Sequence, residues 1–77
     1  MKVIEEPVYW LSPVGKEDDF NSRIGDTIID GKSKYGPWGL MTPASWASYS
    51  GTGGRLGLGL GQKYKKQSNG KWLKIEG

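Results

Sequence analysis

The chain has 77 residues and a formal net charge of +3, with four tryptophans and four tyrosines but neither cysteine nor histidine. A chain of this length forms one domain at most and buries only about 60% of its unfolded surface, so we expect marginal stability. The missing cysteine and histidine exclude disulfide bonds, Cys/His zinc sites and the enzymes that depend on either side chain.

We predict one domain over residues 1–77, with residues 1–25 as an extended arm and acidic loop and residues 26–77 as the core. Residues 2–11 are predicted to be an edge strand or two short pieces, because Pro7 cannot donate a hydrogen bond within a sheet. The first residues lack the apolar run of a signal peptide, and no stretch is long enough to span a membrane. We therefore expect a soluble, intracellular protein without membrane contact.

Three consecutive acidic residues, Glu17, Asp18 and Asp19, follow in a segment rich in turn formers. Charge runs usually form solvated loops, which is the first interpretation. The alternative is that these carboxylates occupy a nucleic-acid groove of a partner, which makes them a secondary candidate site. No carboxylate pair stands at a spacing that indicates acid–base catalysis, and we expect the protein not to be an enzyme.

The next segment favours a strand and a turn. Thr27, Ile28 and Ile29 are β-branched, as is typical of strands, and the dipeptide Asp30-Gly31 after them is typical of a hairpin turn. The second arm of this hairpin is predicted to be short, because Gly36-Pro37 interrupts it.

One short helix is predicted over residues 43–50. Thr42 can cap its start, and Pro43 suits its first position. Gly51 stands where a left-handed residue commonly ends a helix. With about two turns, this helix must be held by packing.

The stretch GTGGRLGLGLGQK, residues 51–63, alternates three leucines with Gly57, Gly59 and Gly61. It lacks both the frame of a phosphate-binding loop and the β-α-β unit of a dinucleotide fold. If the stretch is extended, the leucines share one face and the glycines the other. The glycines then either pack against a ring such as Trp38 or Trp46, or offer their N–H groups to a partner's phosphate or backbone.

A hairpin is predicted over residues 62–75, because Asn69-Gly70 is a strong signal for a two-residue turn. In that register Tyr64, Leu73 and Ile75 form the core face. The other face carries Lys63, Lys65, Gln67, Trp72 and Lys74, with Lys71 and Arg55 at its margins. This basic face is the main candidate site. The alternative places Trp72 in the core, with the lysines as ordinary surface.

Charge is divided between the two ends of the chain. Residues 1–31 contain three basic and seven acidic residues, a net charge of −4, whereas residues 52–77 contain six basic and one acidic residue, a net charge of +5. Such asymmetry marks either an interaction surface or two parts that pair with each other in the fold.

The segments DGKSKYGPWGLMTPASW and GRLGLGLGQKYKKQSNGKWLKIEG resemble small uncharacterised proteins of bacteriophages and related mobile elements, over about residues 26–77. Their shared pattern is DGxTxxGPWxxM followed by GLGxGxGQxYxxQxDGxWxK. Some members carry Met-Cys-x-x-Cys, like a zinc knuckle, where this chain has Thr42 and Ser45. Hydroxyls are poor zinc ligands, so we expect neither metal nor cofactor here.

The turn dipeptides and the alternation around them predict a small β-rich α+β domain with β-hairpins and one short helix. The resemblance implies a bacteriophage protein in the host cytoplasm. Its expected function is to bind and inhibit a host protein or nucleoprotein complex, such as a CRISPR or other defence complex. The alternative is a small basic nucleic-acid-binding protein that uses the Lys/Trp hairpin face.

Overall fold

The computed structural model describes residues 6–77 and contains a five-stranded antiparallel sheet with one short helix. The strands are β1 (Tyr9–Trp10), β2 (Thr27–Lys32), β3 (Trp38–Met41), β4 (Gly61–Lys66) and β5 (Trp72–Glu76), and helix α1 is Pro43–Tyr49. The order in the sheet is β1-β5-β4-β2-β3. The predicted class, a β-rich domain with hairpins and one short helix, is confirmed at this level.

Strand β2 supplies one apolar residue to each side of the sheet. Ile28 packs with Tyr64 and Trp72 on one side, which we call the groove face. Ile29 packs with Met41 and with Trp46 of α1 on the opposite side, the helix face. Both isoleucines are buried because β2 lies between β3 and β4, and successive side chains of a strand point to opposite faces.

The predicted turn at Asp30-Gly31 is wrong. Both residues lie inside β2, where Gly31 pairs with Gly39 of β3 and with Gly61 of β4. The chain turns later, at residues 33–37, and β3 begins directly after Pro37. Asp-Gly favours a turn locally, but at Gly31 the missing side chain serves packing, because an added Cβ would overlap the ring of Trp46.

The predicted hairpin forms between β4 and β5, but its loop has three residues rather than two. The N–H of Gln67 donates to the carbonyl of Lys71 (2.7 Å), and the N–H of Gly70 donates to the carbonyl of Gln67 (2.9 Å). Gly70 has a φ of 83°, the left-handed conformation that the third residue of such loops adopts. The Asn69-Gly70 dipeptide therefore predicted the position of the turn correctly, but the loop is one residue longer than predicted.

One extra loop residue changes the pairing along the hairpin. Lys66 lies opposite Trp72 and Lys65 opposite Leu73, whereas the two-residue turn predicted Lys66 opposite Leu73. A shift of one residue moves the side chains of one strand to the other face relative to its partner. The predicted core face is wrong in consequence, since Tyr64 is buried but Ile75 is half exposed.

Helix α1 confirms the predicted helix to within one residue. The hydroxyl of Thr42 accepts a hydrogen bond from the N–H of Ser45 (3.2 Å), and Pro43 occupies the first turn. The left-handed role predicted for Gly51 is wrong, because the helix ends at Ser50 in an extended conformation. Gly51 is needed for space instead, since a Cβ there would lie 2.6 Å from the carbonyl oxygen of Ser33.

Residues 51–60 consist mainly of turns, so the stretch is not extended as the facing of its leucines and glycines required. Leu58 is 97% exposed at the tip of a tight loop closed by hydrogen bonds between Gly57 and Gly61. The packing role predicted for Gly57 and Gly59 is wrong, because a Cβ at Gly59 would meet nothing within 4 Å. The predicted contact with a tryptophan ring does occur at Gly61, where a Cβ would lie 3.1 Å from the ring of Trp46.

Strand β1 lies at the edge of the sheet, as predicted for the N-terminal arm. Tyr9 pairs with Leu73 and Trp10 pairs with Trp72. The part of that prediction before residue 6 falls outside the described residues. Across residues 6–77 we find no helix with the length and apolar character that a membrane crossing requires.

Candidate functional site

The segment between β1 and β2 folds back over the groove face. Val14 and Ile24 pack against the cluster of Ile28, Tyr64 and Trp72. Part of this segment is a narrow hairpin, in which the backbones of Glu17 and Arg23 form an isolated antiparallel β-bridge. Next to it, the N–H of Ile24 donates to the carbonyl of Lys16 (2.8 Å). This hairpin brings Lys16 and Arg23 to the same side of the sheet as Trp72.

An open groove of about 1030 Å³ lies between this segment and the β4–β5 hairpin. We call it the basic groove. Its lining residues are Trp10, Ser12, Pro13, Val14, Gly15, Lys16, Glu17, Arg23, Ile24, Gly25, Lys66, Gly70, Lys71 and Trp72.

The charge of the basic groove is predominantly positive. Its lining includes four cations, Lys16, Arg23, Lys66 and Lys71, and one carboxylate, Glu17. The four cations come from two separate parts of the chain, which the fold brings to one cavity. A concave surface of one sign concentrates ligands of the opposite sign, so the groove is suited to an anion.

Two indole rings accompany these cations. Trp72 is 8% exposed, and the Nζ of Lys66 lies 5.9 Å from the centre of its ring. Trp10 is partly exposed and meets Tyr64 edge to face, with ring centres 5.6 Å apart. The indole Nε1 of Trp10 is buried and has no hydrogen-bond acceptor among residues 6–77. Buried donors are nearly always paired, so this one marks an unusual position.

The structure divides the basic face that the sequence predicted. Lys63 and Lys65 lie on the helix face, whereas Trp72 and Lys74 lie on the groove face with Tyr64. Grouping Trp72 with Lys63 and Lys65 was therefore wrong, and the alternative that Trp72 belongs to the core is confirmed. Whether Lys63, Lys65 or Lys74 contact a partner stays a prediction.

The two marginal residues of that face are also separated. Lys71 lines the basic groove, and its Nζ lies 5.7 Å from the centre of the Tyr9 ring. Arg55 belongs to the loop after α1, where its Nε donates to the carbonyl of Thr52 (3.0 Å). Arg55 does not line the basic groove.

The acidic run is not a uniform solvated loop, which corrects the prediction at its central residue. Asp18 is 6% exposed, and its carboxylate accepts hydrogen bonds from the N–H groups of Phe20, Ser22 and Thr42 at 2.7–2.9 Å. Burial raises the pKa of Asp18, but hydrogen bonds from the Ser45 hydroxyl and from these N–H groups outweigh it and lower the pKa below its usual value. Asp18 thus fastens the 17–23 hairpin to the start of α1.

The other two acidic residues are exposed and lie on either side of Asp18. The backbone N–H of Asp19 donates to the carbonyl of Leu40 (3.0 Å), and its carboxylate accepts from the N–H of Leu40 (2.7 Å). Asp19 therefore covers the outer edge of β3. Glu17 lines the basic groove. Its position makes it a neighbour of the cations rather than a separate acidic site.

Partial burial also affects two groups in the middle of the sheet. Burial, and then the nearby charge of Asp19, raises the pKa of Asp30. Burial, and then the charge of Asp30, raises the pKa of Tyr64. Neither group lines the basic groove, so its charge is set by the lysines, Arg23 and Glu17.

Thr42 and Ser45, the two positions compared above with the cysteines of a zinc knuckle, are buried and hydrogen-bonded in this chain. The hydroxyl oxygen of Thr42 lies 2.9 Å from the hydroxyl of Ser22 and 3.3 Å from that of Ser45, and its single proton is donated to one of them at a time. Both residues belong to the start of α1 and to the anchorage of Asp18. Among residues 6–77 we find no group of three or more acidic, cysteine or histidine side chains that could hold a metal ion.

Sequence reasoning missed four of the charged and aromatic residues of the groove: Trp10, Lys16, Arg23 and Lys66. Lys66 is next to a predicted site residue and was left out because the two-residue turn placed it opposite Leu73, on the other face from Trp72, whereas it lies opposite Trp72. The other three carry no local signal, because only the return of the N-terminal segment over the sheet brings them together.

No family model matches this chain, and neither the curated proteins nor the solved structures contain a match.

Proposed function

We propose that this protein is a non-catalytic nucleic-acid-binding protein whose binding site is the basic groove. The observation that carries the proposal is the gathering of four cations and two tryptophans in one concave surface. Lysine and arginine neutralise phosphates, and their contacts provide most of the affinity for nucleic acid. Aromatic side chains beside them are typical of sites that also contact bases.

The distribution of the other lysines supports this choice of face. Lys65 and Lys66 are adjacent in β4 and point to opposite sides of the sheet. Lys66 lies over Trp72 in the groove, whereas Lys65 pairs with Leu73 on the helix face. The two lysines are both exposed, so they form a matched pair for an experiment.

Lys66→Glu is expected to weaken binding to a labelled oligonucleotide, and Lys65→Glu is expected to leave it nearly unchanged. Each lysine–phosphate contact with a single strand contributes about 0.7 to the magnitude of the slope of log K against log salt. Between about 1 M and about 50 mM salt, this corresponds to a roughly eightfold gain in binding constant for each contact. Reversing the charge of Lys66 should therefore cost roughly tenfold at the lower salt concentration. The measurement is fluorescence anisotropy across a salt series, with melting curves to show that both variants remain folded.

The wild-type salt dependence is an internal check. If all four groove cations contact phosphates of a single strand, the slope should be about −3. Absence of binding by the wild-type protein at low salt would overturn the proposal. Equal losses in the two variants would show that binding does not depend on the groove, and a loss confined to Lys65→Glu would favour the face predicted from the sequence.

A second candidate function is inhibition of a host protein complex, and a different surface supports it. Phe20 stacks on Tyr49 with ring centres 4.3 Å apart, and Tyr35 lies beside both. Tyr35 is 65% exposed, and the Nζ of Lys34 lies over the rings of Tyr35 and Tyr49. We call these four residues the aromatic patch. Exposed tyrosines are enriched among the residues that dominate protein interfaces.

Tyr35→Ser is expected to abolish inhibition if the aromatic patch binds a host defence complex. The measurement is phage plaquing on a host with an active CRISPR system, with and without expression of this protein. The wild-type protein and Lys66→Glu should both restore plaquing, because Lys66 is outside the patch. Failure of the wild-type protein to restore plaquing would rule out inhibition of the CRISPR system used.

A further inference from the structure

We propose that the ligand of the basic groove is a single-stranded nucleic acid with an unstacked base against Trp10. This inference rests on the proposed function and adds the form of the nucleic acid and the residue that contacts a base. A duplex presents its phosphates outward and hides the flat faces of its bases within the stack, whereas every base of a flexible single strand can expose one. The groove offers both charge and indole surface, which only the single strand can use together.

The position of the indoles in the groove favours a single strand. The Trp10 and Trp72 side chains belong to β1 and β5, and Lys16, Arg23, Lys66 and Lys71 line the same groove. A ligand that contacts the indoles therefore lies in a groove that also contains the cations. A single strand can hold its phosphates at the lysines while one base turns inward. The stacked bases of a duplex cannot do so.

Trp10 is better placed than Trp72 to receive a base. Trp72 is almost fully buried, and Lys66 lies over its ring. Trp10 belongs to a two-residue edge strand and remains partly exposed. Its edge-to-face contact with Tyr64 leaves at least one of the two indole faces uncovered by that ring.

The test uses the wild-type protein and three ligands of equal length: an oligothymidylate, its abasic counterpart and a duplex. We expect the abasic strand, which keeps the phosphates but lacks the bases, to bind about 5- to 150-fold more weakly than the oligothymidylate, the range for loss of a stacked base. The duplex should also bind more weakly. Equal binding of the abasic strand and the oligothymidylate would overturn this inference and leave the proposed function intact. Failure of all three to bind would overturn the proposed function itself.

A variant then assigns the base contact to Trp10. Trp10→Leu keeps an apolar side chain and removes the aromatic face. We expect its affinity for oligothymidylate to fall to the level of the abasic strand, while its affinity for the abasic strand stays as in the wild type. Circular dichroism and melting curves accompany both measurements. Similar losses for both ligands would show that Trp10 only supports the fold, and no loss for either would show that it contacts no base.

Discussion

Asp18→Ala is expected to lower the free energy of unfolding by about 2–4 kcal/mol. The substitution removes a buried carboxylate and leaves the N–H groups that donate to it without an acceptor. The carboxylate accepts three backbone hydrogen bonds, from Phe20, Ser22 and Thr42. The loss is a large fraction of the roughly 5–15 kcal/mol that stabilises an ordinary domain, and this chain is at the small end of the range of sizes. Urea unfolding followed by tryptophan fluorescence measures the difference.

The free energy of unfolding lost in Asp18→Ala should be larger at neutral pH than in strong acid. Hydrogen bonds lower the pKa of Asp18 in the folded protein, despite the opposing effect of burial. The unfolded chain therefore binds the proton more tightly. The stability that Asp18 contributes is complete above the unfolded pKa of about 3.9 and is lost as the pH falls through the lower, folded pKa. The difference between wild type and Asp18→Ala should accordingly be greatest at neutral pH and shrink in strong acid.

Glu17→Ala is the matched control for Asp18→Ala, because it removes the same charge one residue earlier at an exposed position. Its effect should stay within about 0.5 kcal/mol, as for most surface substitutions. If both variants unfold at the same urea concentration as the wild type, the carboxylate of Asp18 does not hold the segment to α1.

Gly31→Ala is expected to cost about 2–3 kcal/mol, in the upper part of the range for overpacking. An added Cβ would overlap the six-membered ring of Trp46 and would lie 3.3 Å from the carbonyl oxygen of Leu60. Gly31 cannot move away, because it is paired on both sides within the sheet. The ring is also held, since the Nε1 of Trp46 donates to the carbonyl of Gly54 (3.0 Å). Relief would require a shift of the whole helix.

Gly25→Ala provides the control for Gly31→Ala, because a Cβ there meets nothing within 4 Å and its φ is not in the left-handed region. It should be neutral or slightly stabilising, since alanine restricts the unfolded chain more than glycine does. A double-mutant cycle with Trp46→Leu tests the cause directly, because a smaller side chain at position 46 should reduce the cost of Gly31→Ala. An unchanged cost in that background would mean that the ring is not the obstacle.

The elements that the sequence predicted well depend on local chemistry. The helix start follows from the Thr42 cap and from Pro43, both of which act within one turn. The β4–β5 turn follows from Asn69-Gly70, because glycine adopts the left-handed conformation that the loop requires. The residues around β2 were assigned to a strand because β-branched side chains suit a pleated sheet.

The binding face was predicted wrongly because the loop between β4 and β5 has one residue more than predicted. The glycine fixes where the hairpin turns, but two-residue and three-residue loops both accept a glycine, and the choice between them decides which face Trp72 occupies. Burying Trp72 beside Ile28 and Tyr64 stabilises the three-residue loop. That preference arises from contacts with β2, which lies more than thirty residues earlier in the chain.

The sequence by itself determined the broad class of the fold, the positions of the helix and the last hairpin, and the lack of cysteine and histidine chemistry. These properties follow from composition and from interactions between near neighbours. Only the tertiary structure decided that Asp18 is buried, that Gly31 makes room for Trp46, and that Lys16 and Arg23 join Lys66 in one groove. Each of these depends on segments distant in sequence, whose approach is set by the burial of apolar side chains on both faces of β2.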